Sequence, residues 1–186
     1  FQIYVYSFSN LEDEYTIRLK NAVFCYRNIY RINDIDAVQL VRSDNLDIAI
    51  DLMGYTLDNR MSIFAHRVAP LQVSYLGFEA TTGSSEMDYI IADEYVLPQK
   101  NTSFYSEKVI YKKHSYMCFD DTREFPENKF SRQDFGLPND AFVLAAFHKS
   151  YKITPEVFDC WSRILLKIPN SVLWLSSSNG IADDNI

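Results

Sequence analysis

Apolar and polar positions along the chain alternate between two periods. Strand-length runs rich in Ile, Val, Leu and Tyr occupy residues 48–52, 71–76 and 89–92, and each is followed by a cluster of Gly, Thr, Asn or Asp. Continuous apolar runs that end in small polar residues are the mark of buried parallel strands feeding functional loops at their C-terminal ends. Upstream, residues 1–7 alternate as a strand does, 13–20 form a short helix capped by Ser9 or Asn10, and 22–29 are aromatic and β-branched enough for a second strand. Asn33 caps a helix on which Ile35, Val38, Leu40 and Val41 recur at roughly helical spacing, closed by Asp44 and Asn45. A strand at 46–52 follows. Asn59 then caps a helix carrying Met61, Ile63, Phe64 and Val68 and ended by Pro70, and further strands are predicted at 71–76, 88–92 and 107–111.

From 118 to 139 the composition shifts to a charged, Pro-containing run with one helical turn at 131–135, which predicts a domain boundary. The pattern restarts with a strand at 141–147. Thr154-Pro155-Glu156 supplies a capping hydroxyl, a proline for the first helical position and an acid for the first turn. Val157, Trp161, Ile164, Leu165 and Ile168 fall on one face of that helix, which Pro169 and Asn170 end before a strand at 171–175. The order of elements predicts an α/β protein with mainly parallel sheets in two Rossmann-like parts: residues 1–117, a linker at 118–139, and the start of a second part at 140–186. Phe1 already lies inside a strand pattern and NGIADDNI directly follows another, so the segment reads as a fragment of a larger protein.

Composition narrows the function classes. With 186 residues, 47% of them hydrophobic, the chain can bury a sizeable core. A net charge of −7 and no cluster of Lys and Arg argue against a nucleic-acid partner, although one Lys and a helix N-terminus suffice for a single nucleotide. No apolar run approaches the roughly 20 residues that span a bilayer, so no membrane association is expected. Cys25, Cys118 and Cys160 lack CxxC spacing, which suits reduced thiols and a cytoplasmic protein.

The sharpest candidate for chemistry is His148-Lys149-Ser150-Tyr151-Lys152, between a strand and a helix start. Unpaired N–H groups at a helix N-terminus attract anions, and Lys152, two residues before the cap, adds a full positive charge. The spacing admits a phosphate or diphosphate site centred on Lys152 and equally a solvated loop. The loop 77–83 offers two glycines and two threonines after a strand, which permits close backbone approach to a ligand, but it matches neither GxGxxG nor GxxxxGK[ST]. Turn chemistry alone would also explain it and the loop at Gly54. His66, His114 and His148 are too dispersed to suggest a metal site, no GxSxG elbow is present, and Arg60 suits an ion pair better than a ligand contact.

Several blocks together carry a resemblance. GYTLDNRMSIFAHRVAPLQVSYLG, then TTGSSEMDYIIAD, then SYKITPEVFDCWSRILLKIPNSVLWL occur in this order and closely resemble the catalytic region of glycosyltransferase family 41, the family of the O-GlcNAc transferase and SPINDLY-like proteins. The resemblance covers most of the chain, and the last block is the most specific. It implies a GT-B-type α/β fold of two Rossmann-like lobes, with the first strand of the N-terminal lobe and most of the C-terminal, UDP-binding lobe outside these residues. The implied activity is inverting, metal-independent transfer of a sugar, usually N-acetylglucosamine, from a UDP-sugar to Ser or Thr of intracellular proteins. The donor is a substrate, and no cofactor is implied. By the same resemblance Lys152 binds the diphosphate, Leu76 and Gly77 line the sugar pocket, Tyr55 and Thr56 lie on the acceptor side, and Lys149 can supply a second phosphate contact. The partners implied are the UDP-sugar and a protein or peptide acceptor, with room for a TPR array in a full-length parent.

The chain departs from the family pattern in the sugar-site loop, where GYPGT is replaced by Gly77-Phe78-Glu79-Ala80-Thr81, and before SYK, where His148-Lys149 replaces a pair of amides. A Glu beside a sugar diphosphate keeps two alternatives open: a relative with another donor or an Asn acceptor, and a non-catalytic relative that serves as a binding or scaffold module. The isolated fragment is expected to be inactive.

Overall fold

The parallel strands predicted from the sequence form in the computed structural model, which describes residues 1–122, 124, 130–177 and 180. Positions 123 and 125–129 of the segment 118–139, and 178, 179 and 181–186 of the C-terminal stretch, lie outside the described residues. In chain order the elements are β1 (Tyr4–Ser7), α1 (Glu14–Ala22), β2 (Cys25–Asn28), α2 (Asp34–Ser43), β3 (Ile48–Asp51), α3 (Met61–Ala65), β4 (Leu71–Ser74), β5 (Tyr89–Ala92), β6 (Lys108–Tyr111), β7 (Phe142–Ala146), α4 (Pro155–Lys167) and β8 (Ser171–Leu175). Single 3₁₀ turns occur at Gln99–Phe104, Gln133–Phe135 and Ser150–Lys152. The described strand pairs are all parallel: β1 with β2, the sequential sheet β3-β4-β5-β6, and β7 with β8. The chain divides into two compact units, Phe1–Asp121 and Thr122–Ile186.

In the first unit, α2 begins where Asn33 accepts the amide of Asp36 at 2.9 Å, and it buries Ala37, Val38 and Val41. These pack with Ile29, Ala49, Ile63, Val68 and Ala69 into one core. Arg60 ties the two helices together by donating to Asp34 Oδ1 (2.7 Å from Nε) and to the carbonyls of Ile29 and Ile32 at 2.9 and 2.8 Å. Four of its five N–H donors are thus used in holding chain to chain. Under β4, the fully buried Gln72 accepts the amide of Val68 and donates to the carbonyls of Phe64 and Glu86, so that backbone groups which would otherwise lie buried without partners are satisfied.

Three local expectations are corrected. The cap of α1 is Asp13, which accepts the Thr16 amide at 2.8 Å, because the helix starts at Glu14, too late for Ser9 or Asn10 to reach its amides. The start of α3 has Arg60 at the cap position without a side-chain cap bond, while Asn59, one residue earlier, donates its side-chain amide to Thr56 O at 2.8 Å and accepts the Met61 amide at 3.3 Å. The strands of the main sheet are also not buried on both faces. Ala49, Asp51, Gln72, Ser74, Ile90 and Ala92 lie on a covered face, whereas Ile48, Ile50 and Leu71 on the other remain 51, 50 and 43% exposed. Ala49 on the covered face packs with residues of α2 and α3, and on the other face Val73, at the centre of the sheet, is 7% exposed.

In the second unit, α4 is capped by Thr154, with Pro155 at its first position. Trp174 of β8 lies edge-on to Phe147 at 4.9 Å between ring centres and 5.2 Å from Phe135. Ala141 is the buried apolar residue of this unit among the described residues.

Candidate functional site

Two loops leave the C-terminal ends of β3 and β4, adjacent strands paired from Ile48 with Leu71 to Asp51 with Ser74. At the end of β3 the carboxylate of Asp51, 6% exposed, accepts the amides of Met53 at 3.1 Å and Gly54 at 2.7 Å, folding the chain sharply back. Burial pushes the Asp51 carboxyl above its usual range in spite of those two bonds. Gly54 has φ of +54°, and a Cβ built on it would lie 2.2 Å from Cβ of Phe78, so only glycine fits there. Thr56 donates its hydroxyl to Met53 O at 2.9 Å.

The second loop meets the first directly. Gly77 N–H donates to Tyr75 O at 3.0 Å around Leu76, whose φ is +70°. This is a γ-turn of the strained, positive-φ kind. A Cβ on Gly77 would lie 2.0 Å from the carbonyl oxygen of Leu52. Tyr55 stands edge-on to Phe78 at 5.7 Å and donates its hydroxyl to Thr82 O at 3.0 Å. Tyr55, Thr56, Leu76 and Gly77 therefore belong to one pair of abutting loops. Leu76, Phe78 and Glu79 share a shallow hollow with Ile90, Val96 and Tyr116.

Glu79, the residue that departs from the family pattern, is tied down. Its carboxylate accepts the Tyr116 hydroxyl at 3.0 Å and its carbonyl accepts the Tyr105 hydroxyl at 2.8 Å. Burial first, and then the Glu79 carboxylate, push the Tyr116 phenol above its usual range. Two and three residues on, Thr81 and Thr82 donate to Glu107, a carboxylate only 4% exposed just before β6.

Lys149 and Lys152 lie in the second unit, in the turn between β7 and α4. Both are exposed, and among the described residues no carboxylate pairs with either. The Lys152 N–H donates to Lys149 O at 3.0 Å, closing the 3₁₀ turn just before the cap. Thr154 accepts the Val157 amide at 3.4 Å, and a hydrogen bond from Thr154 holds the Glu156 carboxyl below its usual range. His148 lies against Trp161 at 5.5 Å with its Nδ1 buried and without a partner. Among the described residues no three of His, Cys, Asp and Glu gather into a group that could hold a metal ion.

A sequence profile of glycosyl transferase family 41 matches residues 1–130 and 128–186. The chain belongs to glycosyl transferase family 41. Its relatives include a probable UDP-N-acetylglucosamine–peptide N-acetylglucosaminyltransferase, SEC, of Arabidopsis thaliana, 36% identical over 180 residues that make up 94% of this chain and 18% of the relative. A protein of the same description from rice, SPINDLY, is 32% identical over 93% of this chain and 19% of its own length. The solved structure of a mutant Thermobaculum terrenum O-GlcNAc transferase matches with a TM-score of 0.84 at 28% identity, covering 99% of this chain and 35% of that one. The fold is accordingly α/β of the GT-B type with parallel sheets. This family 41 chain spans about a fifth of the length of the curated relatives it matches.

Reasoning from sequence found the two loops of the family 41 chain and the lysine turn, because each follows a strand and carries unusual residue types. It missed Asp51, Tyr105, Tyr116 and Glu107, which hold the loops in place. Asp51 binds amides only two and three residues on, a local turn signal that an acid at a strand end could have given, whereas the partners of Tyr105, Tyr116 and Glu107 sit 25 to 37 residues away and are brought together by the order of the strands.

Proposed function

We propose that the full-length protein to which this chain belongs transfers N-acetylglucosamine from UDP to Ser or Thr hydroxyls of intracellular proteins, inverting the sugar carbon and using no metal ion. In this reaction the acceptor oxygen bonds to the anomeric carbon from the face opposite UDP, its proton passes to a general base, and the bond to the diphosphate breaks with the electron pair leaving on UDP. The observation that carries this reading is the exposed Lys152, which no carboxylate pairs among the described residues, in a closed turn directly before the N-terminus of α4. An ammonium there, beside the positive end of the α4 dipole, suits a diphosphate and offsets the charge that builds as UDP departs. Lys149 adds a second phosphate contact. Leu76 and Gly77 contact the sugar, and Tyr55 and Thr56 serve the acceptor side.

The acceptor in this proposal is a protein or peptide, presented with the help of a TPR array elsewhere in the polypeptide. Nucleic acid has no part, in keeping with a net charge of −7. No helix among the described residues is long and apolar enough to cross a membrane, and Cys25, Cys118 and Cys160 are unpaired, which suits a cytoplasmic location.

The test is calorimetric titration of the full-length protein with UDP and UDP-N-acetylglucosamine, beside Lys152→Ala. Both ligands should bind, and the variant should lose at least tenfold in affinity or turnover, about 1.4 kcal/mol. Binding of UDP without binding of this donor would point to another sugar. Failure to bind UDP would leave a scaffold protein. The 186-residue chain alone is expected neither to bind the donor tightly nor to turn it over.

A further inference from the structure

Glu107 is a buried carboxylate with no cation beside it. Among the described residues no Lys or Arg pairs with it, and its charge is met by neutral donors: the Thr82 amide at 2.7 Å, the Thr82 hydroxyl, the Thr81 hydroxyl at 2.7 Å and the Ser106 hydroxyl at 3.2 Å. An ionised group taken out of water is expensive unless its oxygens are saturated. Here both oxygens are, so the arrangement is stable only while Thr81 and Thr82 stay where they are. Burial pushes the carboxyl up and the bonds from Thr82 and Thr81 pull it down further, leaving it below its usual range and therefore charged near neutrality.

The clamp acts on a loop that needs one. At its near end Leu76 holds a positive φ and Gly77 presses against the Leu52 carbonyl. That geometry would relax if the far end were free. Tyr105 and Tyr116 fix the middle at Glu79, and Tyr55 reaches Thr82 O from the neighbouring loop, but Glu107 alone takes several donors from the far end at once. Thr81 Oγ1 also accepts the amides of Gly83 and Ser106, so the far end is one closed network.

We propose that Glu107 is a positioning residue for the donor sugar: through Thr81 and Thr82 it sets the path of residues 76–83 and so the place at which Leu76 and Gly77 meet the sugar. This rests on the sugar-transfer function proposed above. Glu107 itself touches no substrate. Loss of the clamp loosens the sugar contacts of Leu76 and Gly77 and does not touch the turn that carries Lys152.

The experiment compares UDP with UDP-N-acetylglucosamine on the full-length protein by calorimetry, together with the KM for that donor. Glu107→Gln keeps the size of the side chain but makes one acceptor oxygen a donor. It should weaken UDP-N-acetylglucosamine at least tenfold and raise its KM to match, while UDP affinity changes less than twofold. Thr82→Val, which removes one donor and keeps the shape, should act in the same direction by about threefold, and Thr82→Ser, which restores the hydroxyl, should rescue. The Thr82 pair decides the matter if Glu107→Gln does not fold. Equal loss of both ligands, or loss of neither, overturns the positioning role. Absence of UDP binding by the unsubstituted protein overturns the sugar-transfer function and this role with it.

Discussion

At the scale of single residues, two glycines of one loop separate steric from conformational demands. Gly77 has no positive φ, but its missing Cβ is what lets the backbone of Leu52 approach. Gly77→Ala should therefore destabilise the protein by roughly 1–3 kcal/mol in a denaturant titration, since backbone must move. Gly83 has open space around it and φ of +65°, so Gly83→Ala should cost about 1 kcal/mol through conformation alone. Asp44 carries a different kind of demand. It accepts Arg27 at 2.8 Å (Nε) and 2.5 Å (Nη2) and the Tyr6 hydroxyl at 2.6 Å, joining the end of α2 to β1 and β2. The bonds from Arg27 hold its carboxyl below the usual range in spite of burial. A folded pKa lower than the unfolded one means that the stabilisation is complete above about pH 4 and is lost as pH falls through the folded value. Asp44→Asn should then cost roughly 1–3 kcal/mol at pH 7, with the gap from the unsubstituted protein shrinking below pH 4 in urea unfolding. The Gly77 loop was recognisable from its composition; the reason its glycine is required, a carbonyl from another loop, was not, because it depends on how β3 and β4 are paired.

At the scale of elements, the most legible one is α4. Thr154, Pro155 and Glu156 announce its start in the sequence, and the structure puts Thr154 at the cap with Pro155 first in the helix. Thr154→Ala should cost about 1 kcal/mol, seen as faster amide exchange at the first turn of α4. If Lys152 uses that helix end as an anion site, the same substitution should also weaken UDP in the full-length protein. The caps that sequence misassigned, Ser9 or Asn10 at α1 and Asn59 at α3, lie in stretches that hold more than one Ser, Asn or Asp. Which of them caps depends on where the first helical turn packs, a tertiary matter. The 3₁₀ turn Gln99–Phe104 was not foreseen, since QKNTSF shows no apolar period and its short polar turn is set by its neighbours.

At the scale of the whole chain, the two units differ in how much core they own. The first holds the clusters around Val38 and around Ile90, whereas Ala141 is the one fully buried apolar residue that the described part of the second contributes. In the 186-residue chain, hydrogen exchange should accordingly show β7, α4 and β8 less protected than β3 to β5, by about tenfold or more; equal protection would refute this. The half-exposed row of Ile48, Ile50 and Leu71 belongs to the same picture, because parallel strands are normally covered on both faces. The sequence by itself determined the periodicities, the chain order of helices and strands, the loops at the C-terminal ends of β3 and β4 and the lysine turn before α4, because these are encoded in residues that are neighbours along the chain. Only the tertiary structure decided that the two loops abut through Gly54, Gly77 and Phe78, that Glu79 is bound by Tyr105 and Tyr116, and that Glu107 clamps Thr81 and Thr82. Those contacts join residues far apart in the sequence, and they exist only once strand pairing has fixed which loop ends lie side by side.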